Sequence, residues 1–400
     1  MVSQLRFKQT EIRKIPKEWR ILKIGNILSL EYGEGLVARH RKGDKYPVYG
    51  SNGIIGYNSE YLIKGPGIIV GRKGTIGAIR WSEDDFWPID TTYYIKLKET
   101  EIDLKWLSNK LLTLGLSKLN MATGTPGLNR DLVYKLNISI PPLPEQKKIA
   151  EILLTIDQAI EEVNRCLAKT ERLKKGLMQE LLTKGIGHKE FKETEMGLLP
   201  LNWDIQKDFI KIKSGYGFKL KEYSGKGIPL IRIDNVGYGK IEYKNLCYLP
   251  NNYLDKYKNF TLKKGDIVIA LNRPITNNKL KIGIIEIEPS VLYQRVGLIK
   301  IHKGDFNINF YYHYLRSHLF LKKLRTILVG SDQPYIKIGA FSKINFPKPP
   351  LEEQKKIAKI LSTVDERIKL LKEKKEKLGR VKKGLMNNLL TGKKRVKVEA

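Results

Sequence analysis

Residues 141–183 read PPLPEQKKIAEILLTIDQAIEEVNRCLAKTERLKKGLMQELLT, and residues 349–391 read PPLEEQKKIAKILSTVDERIKLLKEKKEKLGRVKKGLMNNLLT, 208 positions later. Aligned without a gap, the stretches agree at 24 of 43 positions, including Glu145/Glu353, Gln146/Gln354, Asp157/Asp365 and residues 174–178 against 382–386. A two-fold internal repeat is the first property of the chain to explain. Each copy predicts one long helix. Apolar residues at Ile149, Leu153, Ile156, Ile160, Val163 and Leu167 alternate steps of four and three, as do Ile357, Leu361, Val364, Ile368 and Leu371, a narrow seam suited to one partner helix. Leu173, Leu177 and Leu181 read as slipping out of that register, which predicts a stutter near Thr170. The prolines mark the starts, and Glu145 or Glu353 stands where the helix dipole favours an anion. At 1.5 Å per residue, 145–183 would span roughly 58 Å.

The repeat extends beyond the helices. Phe7, Lys8, Thr10, Glu11, Pro16 and Trp19 recur at Phe191, Lys192, Thr194, Glu195, Pro200 and Trp203, an offset of 184. The chain is a double cassette of entry signature, globular segment and long helix, and the change of offset from 184 to 208 places a 24-residue difference inside the globular segments. The expected division is 1–140, 141–185, 186–348 and 349–400. The fold class follows as α+β: two globular mixed α/β domains separated by two long helices that form an antiparallel coiled coil, with pseudo-two-fold symmetry. In the first globular segment 67–70, 75–79, 90–95 and 136–140 read as strands, 103–119 as a helix and 124–129 as a polar loop. The second repeats this order, with strands within 228–236, 265–274 and 293–300, a helix over 310–328 and a loop at 330–335.

Charge bounds the partner. The chain carries 74 Lys and Arg against 42 Asp and Glu, a net +32, distributed as +8, +1, +14 and +9 over the four segments. That excess suits a polyanion and makes the nearly neutral first helix a spacer. The N-terminal MVSQLRFKQTEIRK lacks an apolar core and no apolar run approaches a membrane span, so a cytoplasmic protein with no membrane contact is expected. Cys166 and Cys247 have no partners at metal spacing, and neither zinc nor a disulfide framework is expected.

Catalytic signatures are missing. No Asn/Asp-Pro-Pro-aromatic run and no Walker loop is present, Gly215-Tyr216-Gly217 reads as a turn, and Glu242-Tyr243-Lys244 lacks the acidic partner of a metal nuclease. The loops instead combine glycine, cations for phosphates and amide or hydroxyl groups for base edges. Candidate DNA contacts are Arg72, Lys73, Thr91, Thr92, Tyr93, Thr125 and Asn129 in the first segment, and Asn272, Arg273, Gln294, Arg295, Ser331, Gln333 and Tyr335 in the second.

With PPLPEQKKIA and PPLEEQKKIA each following a globular segment, the chain resembles the specificity subunit of type I restriction-modification enzymes over all 400 residues. The resemblance implies two target-recognition domains, each reading half of a split double-stranded DNA site, and an antiparallel pair of helices between them. It also implies partner methyltransferase subunits and a restriction/translocase subunit that carry the S-adenosylmethionine, ATP and magnesium chemistry, with no catalysis, cofactor or metal on this chain. A helix running back from the second domain along the first helix makes that layout physically natural and turns the coil into a ruler between two readers. Two other functions compete: the recognition end of a fused methyltransferase-nuclease, and a coiled-coil spacer that binds RNA or protein.

Overall fold

The computed structural model describes residues 7–10, 14–119, 127–301 and 305–397. The chain forms two compact units, Met1–Arg165 with Glu373–Ala400 and Cys166–Lys372. The divisions fall inside the long helices, Leu143–Leu181 and Leu351–Leu389. Each unit therefore combines one globular domain, the start of the helix that follows it, and the end of the other helix.

Both units are built on a four-stranded antiparallel sheet of one topology. In the first the order is Leu28–Tyr32, Thr92–Leu97, Gly67–Gly71, Ile79–Ser82; in the second it is Ile210–Ser214, Val296–Ile301, Ile267–Ala270, Ile282–Ile284. The central strands read as unbroken apolar runs, GIIVG and IVIA, because both their faces are buried. Ile68 and Val70 face the main core with Trp106, Leu107 and Leu111, while Ile69 faces Tyr49 and Phe86. In the second unit Ile267 and Ile269 face the main core, and Val268 and Ala270 a separate one. Most of the size difference lies in one connection: 34 residues separate the first strand from the central strand in unit 1, and 52 in unit 2. The longer connection contributes Ile228–Ile231, Cys247–Leu249 and Thr261–Leu262, which join Ser290–Leu292 in a second four-stranded sheet of order Cys247–Leu249, Ile228–Ile231, Ser290–Leu292, Thr261–Leu262.

The Glu-Gln pair that opens each long helix locks it to its domain. Trp19 Nε1 donates to Glu145 Oε2 at 3.1 Å, and Trp203 Nε1 donates to Glu353 Oε2 at 3.0 Å. Gln146 Oε1 accepts from the Asp103 N–H at 2.8 Å and Gln354 Oε1 from the Asn307 N–H at 2.8 Å, each just before a helix that packs in the core. Glu145 also takes a two-pronged contact from Arg395 at 2.7 and 2.8 Å, whereas Glu353 accepts from the Ile186 N–H at 2.9 Å and meets His188 Nε2 at 2.8 Å. The buried Glu145 and the half-buried Glu353 carboxylates are thus each paired, as loss of water demands.

Within each unit the helices pair antiparallel. Lys382 meets Asp157 at 2.5 Å while Arg395 meets Glu145; in the other unit Lys372 meets Glu171 at 3.3 Å while Lys174 pairs with Asp365. Ile149, Leu153, Val163, Ile357, Leu361 and Leu371 are buried along the seam, and Ile156, Ile160, Leu167, Val364 and Ile368 half-buried. The expected stutter near Thr170 is absent. The same alternation continues through Thr170, Lys174, Leu177 and Leu181, all at least half-buried, while Leu173 is 56% exposed. The ion-paired Lys174 holds a place that the heptad usually gives to an apolar residue.

Four element boundaries also differ from expectation. The strand expected at 75–79 is Ile79–Ser82, because Gly74 and Gly77 take φ of +74° and +68° and Gly71 N–H donates to Ala78 O at 2.8 Å, making 71–78 a turn. The helix expected over 103–119 ends at Leu112 before Gly115 (φ +64°). The helix over 310–328 divides into Ile308–Leu315 and His318–Thr326, the second capped by Ser317. The strand within 228–236 stops at Ile231, after which the Asn235 side chain accepts from the Arg232 N–H at 3.0 Å.

Candidate nucleic-acid interface

In each unit one end of the four-stranded sheet gathers three loops. In unit 1 the Arg72 and Lys73 N–H groups donate to Thr91 O at 2.9 and 3.0 Å, and the Leu128 N–H donates to Arg72 O at 2.9 Å. The turn after the central strand is thereby bonded to the entry of Thr92–Leu97 and to the segment at 127–129. Unit 2 repeats the pattern: Leu271 N–H donates to Arg295 O at 3.0 Å, Arg273 N–H to Pro334 O at 2.7 Å, and Ile336 N–H to Leu271 O at 2.8 Å. Backbone bonds, which any side chain permits, hold the loops together and leave the side chains free to differ.

Most of the sequence candidates meet at these two ends. In unit 1 Lys73 is exposed and Thr91 half-buried, and Arg72 donates Nε and Nη2 to Asp90 O at 3.0 and 2.6 Å. In unit 2 Arg273, Gln294, Arg295, Ser331, Gln333 and Tyr335 are exposed and Asn272 is half-buried in a bridge with Tyr335. Arg273 has φ +45°, uncommon for a non-glycine residue, and its N–H donates to Pro334 O at 2.7 Å.

Three candidates have structural roles instead. Thr92 is fully buried and its hydroxyl donates to Ile89 O at 2.7 Å. Tyr93 is 3% exposed, its hydroxyl donates to Leu128 O at 3.3 Å, and burial pushes its phenol up to about 12. Asn129 caps the helix Arg130–Tyr134 by accepting from the Asp131 N–H at 2.8 Å. The alternation of a strand and the cap before a helix decide these positions, and composition alone did not distinguish them. Thr125 lies outside the described residues.

Aromatic residues at both ends escaped the sequence reading. Tyr32, half exposed, has the guanidinium groups of Arg72 and Arg130 over its ring. Tyr216, 41% exposed, packs at 4.9 Å from Phe218 and 4.8 Å from Tyr257, with Lys256 over Tyr257. A signal was present: each lies beside a glycine at the end of its first strand, in EYGEG and SGYGF. A side chain on Gly33 would fall 2.2 Å from Pro88 O, and one on Gly215 2.3 Å from Leu292 O, so both positions require glycine.

The family model of the type I restriction modification DNA specificity domain matches residues 16–171 and 200–380. The chain belongs to that family. Each match takes in one loop-bearing domain and much of the long helix that follows it. Among family members, the type I restriction enzyme MjaVIII specificity subunit of Methanocaldococcus jannaschii is 35% identical over 98% of this chain and 96% of its own length. The EcoKI specificity subunit of Escherichia coli K12 is 29% identical over 41% of this chain and 35% of its own. The crystal structure of a type I restriction-modification S subunit from M. genitalium shares the fold at TM-score 0.64 and 18% identity, covering 93% of this chain and 96% of that one. A chain from a study of assembly and conformational transition in a type I system matches at TM-score 0.52 and 16% identity, over 94% and 99%. No helix of the described residues is long and apolar enough to cross a membrane.

Proposed function

We propose that this chain selects the DNA sequence for a type I restriction-modification enzyme, each unit reading half of a split double-stranded site with the loop end of its four-stranded sheet. One observation carries the reading. Two equivalent backbone bonds, Arg72 N–H to Thr91 O with Leu128 N–H to Arg72 O in one unit and Leu271 N–H to Arg295 O with Ile336 N–H to Leu271 O in the other, assemble the same three loops twice, and the side chains they present differ between the copies. A duplicated frame with unlike contents is what two independent readers of unlike half-sites require. The net +32 supplies the sequence-independent attraction to phosphates.

The chain contributes recognition and scaffolding, and not catalysis. It holds no cofactor of its own; methyltransferase subunits and a restriction/translocase subunit bring S-adenosylmethionine, ATP and magnesium. The decisive experiment is to express the chain with its methyltransferase partners and map methylated positions genome-wide, before and after exchanging 204–348 for the corresponding segment of another specificity subunit. One half of the methylated site should change and the other persist. A change in both halves would refute independent readers, and methyl transfer by the purified chain alone would refute the non-catalytic role.

A further inference from the structure

Tyr32 closes the strand Leu28–Tyr32 and stands 50% exposed at the loop end of unit 1. Its ring carries two cations: the Arg72 guanidinium lies 5.1 Å and the Arg130 guanidinium 5.3 Å from its centroid, and Tyr93 packs against it at 5.0 Å. The arginines come from different elements, Arg72 from the turn after the central strand and Arg130 from the first residue of the helix Arg130–Tyr134, and their mutual repulsion is offset by the shared ring. Asp90 O occupies the Nε–Nη2 edge of Arg72, which orients that guanidinium and leaves its terminal Nη1–Nη2 edge, with an N–H on each nitrogen, open for a bidentate contact. Among the described residues, Arg130 has no hydrogen-bond partner, so its whole fork is available.

A phosphate contact needs only a cation on a flexible stem. Two planar forks held against an aromatic face have lost much of their rotamer freedom before binding, an arrangement suited to bidentate recognition of fixed acceptors. In the major groove those acceptors are the O6 and N7 of guanine. We infer that Tyr32, Arg72 and Arg130 form a guanine-reading centre: the arginines make the base contacts, and Tyr32 is a positioning residue that holds them. The centre belongs to unit 1 alone. In unit 2 the equivalent strand end is Ser214, whose hydroxyl donates to Gln294 O at 2.7 Å.

The inference rests on the proposed function, and its test separates the two. The chain is assembled with its methyltransferase partners, and binding is measured on duplexes carrying the mapped site. The unit 1 half-site is the half that survives exchange of 204–348. It should contain a G·C pair at which 7-deazaguanine weakens binding about ten-fold, and Arg72→Ala or Arg130→Ala should abolish the response to that base. Tyr32→Ala should relax discrimination at this half-site about ten-fold and leave the other intact, which also reports that the variant is folded. Tyr32→Phe should stay within about two-fold of the parent, since the ring and not the hydroxyl holds the forks. The centre is refuted by a half-site without G·C, by indifference to 7-deazaguanine, by equal losses in Tyr32→Phe and Tyr32→Ala, or by loss at both half-sites. Absence of any sequence preference in the parent would sink the proposed function, and this inference with it.

Discussion

His313 is buried between the helix Ile308–Leu315 and the second long helix, with Nε2 3.0 Å from Ser362 Oγ and Nδ1 3.8 Å from Asp365. Burial, reinforced by Arg316 and Lys174 and opposed by Asp365, pushes its pKa down to about 4. Burial pushes Asp365 up, but Arg316 and Lys174 outweigh it and hold the carboxyl below its ordinary value. The unfolded histidine therefore takes up its proton at higher pH than the folded one. Stability falls as pH drops from the unfolded value near 6.5 toward 4, and the loss between pH 7 and pH 5 should be about 2 kcal/mol. Urea unfolding at the two pH values checks this, with His313→Gln as the reference that flattens the difference; an equal slope in that variant would exclude His313 as the source. At the other anchor, Glu145→Ala strands the Arg395 guanidinium and the buried Trp19 indole. It should cost about 3 kcal/mol of unit 1 stability, read from thermal unfolding, against about 1 kcal/mol for Trp19→Phe, which leaves the ion pair.

The long helices keep one heptad register, and their polar seam positions are equivalent: Lys174 and Lys382, 208 residues apart, each pair with an aspartate, Asp365 and Asp157, also 208 apart. Such crossed pairs accept only one antiparallel register, the use of a seam polar residue best attested in coiled coils. The same helices contain a correctable weakness. Gly176, Gly379 and Gly384 lie in helix interiors, exposed, and a Cβ at each would meet nothing within 4 Å. Alanine at each should stabilise by about 0.5–1 kcal/mol, mostly by restricting the unfolded chain. A triple variant with no rise in unfolding midpoint would show that these helices are already limited by packing elsewhere. Gly33→Ala and Gly215→Ala should do the reverse, because the added carbon meets a backbone oxygen.

For the molecule as a whole, the charge is the property that reaches a partner first. Of the net +32, unit 1's globular segment at 1–140 carries +8 and unit 2's at 186–348 carries +14. If binding engages six or more phosphates, the slope of log K against log salt should be about −5 or steeper. Titrating the complex with its methyltransferase partners from low to physiological salt on an unrelated duplex measures it, and a slope near zero would remove the electrostatic argument. Arg273→Ala or Arg295→Ala, both exposed at the loop end of unit 2, should cost about 1–3 kcal/mol on one half-site if the side chain meets a base edge; a uniform loss on all sequences would mark a phosphate contact.

The duplication, the two long helices and the mixed α/β domains were all legible in the chain, because periodicity and internal identity are summed over many residues and survive local exceptions. The helix starts were legible too, though the job of Glu145 and Glu353 was not: the sequence placed them at a helix dipole, and only the fold brought Trp19, Arg395, Trp203 and His188 to them. The register past Thr170 was not legible because leucine is the usual mark of a seam, while the structure puts Lys174 there beside a carboxylate from 191 residues away. Within the loops, residue type could not separate Thr91 from Thr92, or a free asparagine from the cap that Asn129 provides; the face of a strand and the first turn of a helix make that division. Tyr32 and Arg130, 98 residues apart, share no local pattern at all. Antiparallel pairing of four strands, and the backbone bond that ties Leu128 to Arg72, are what put the aromatic ring beneath one cation from a turn and another from the start of a helix.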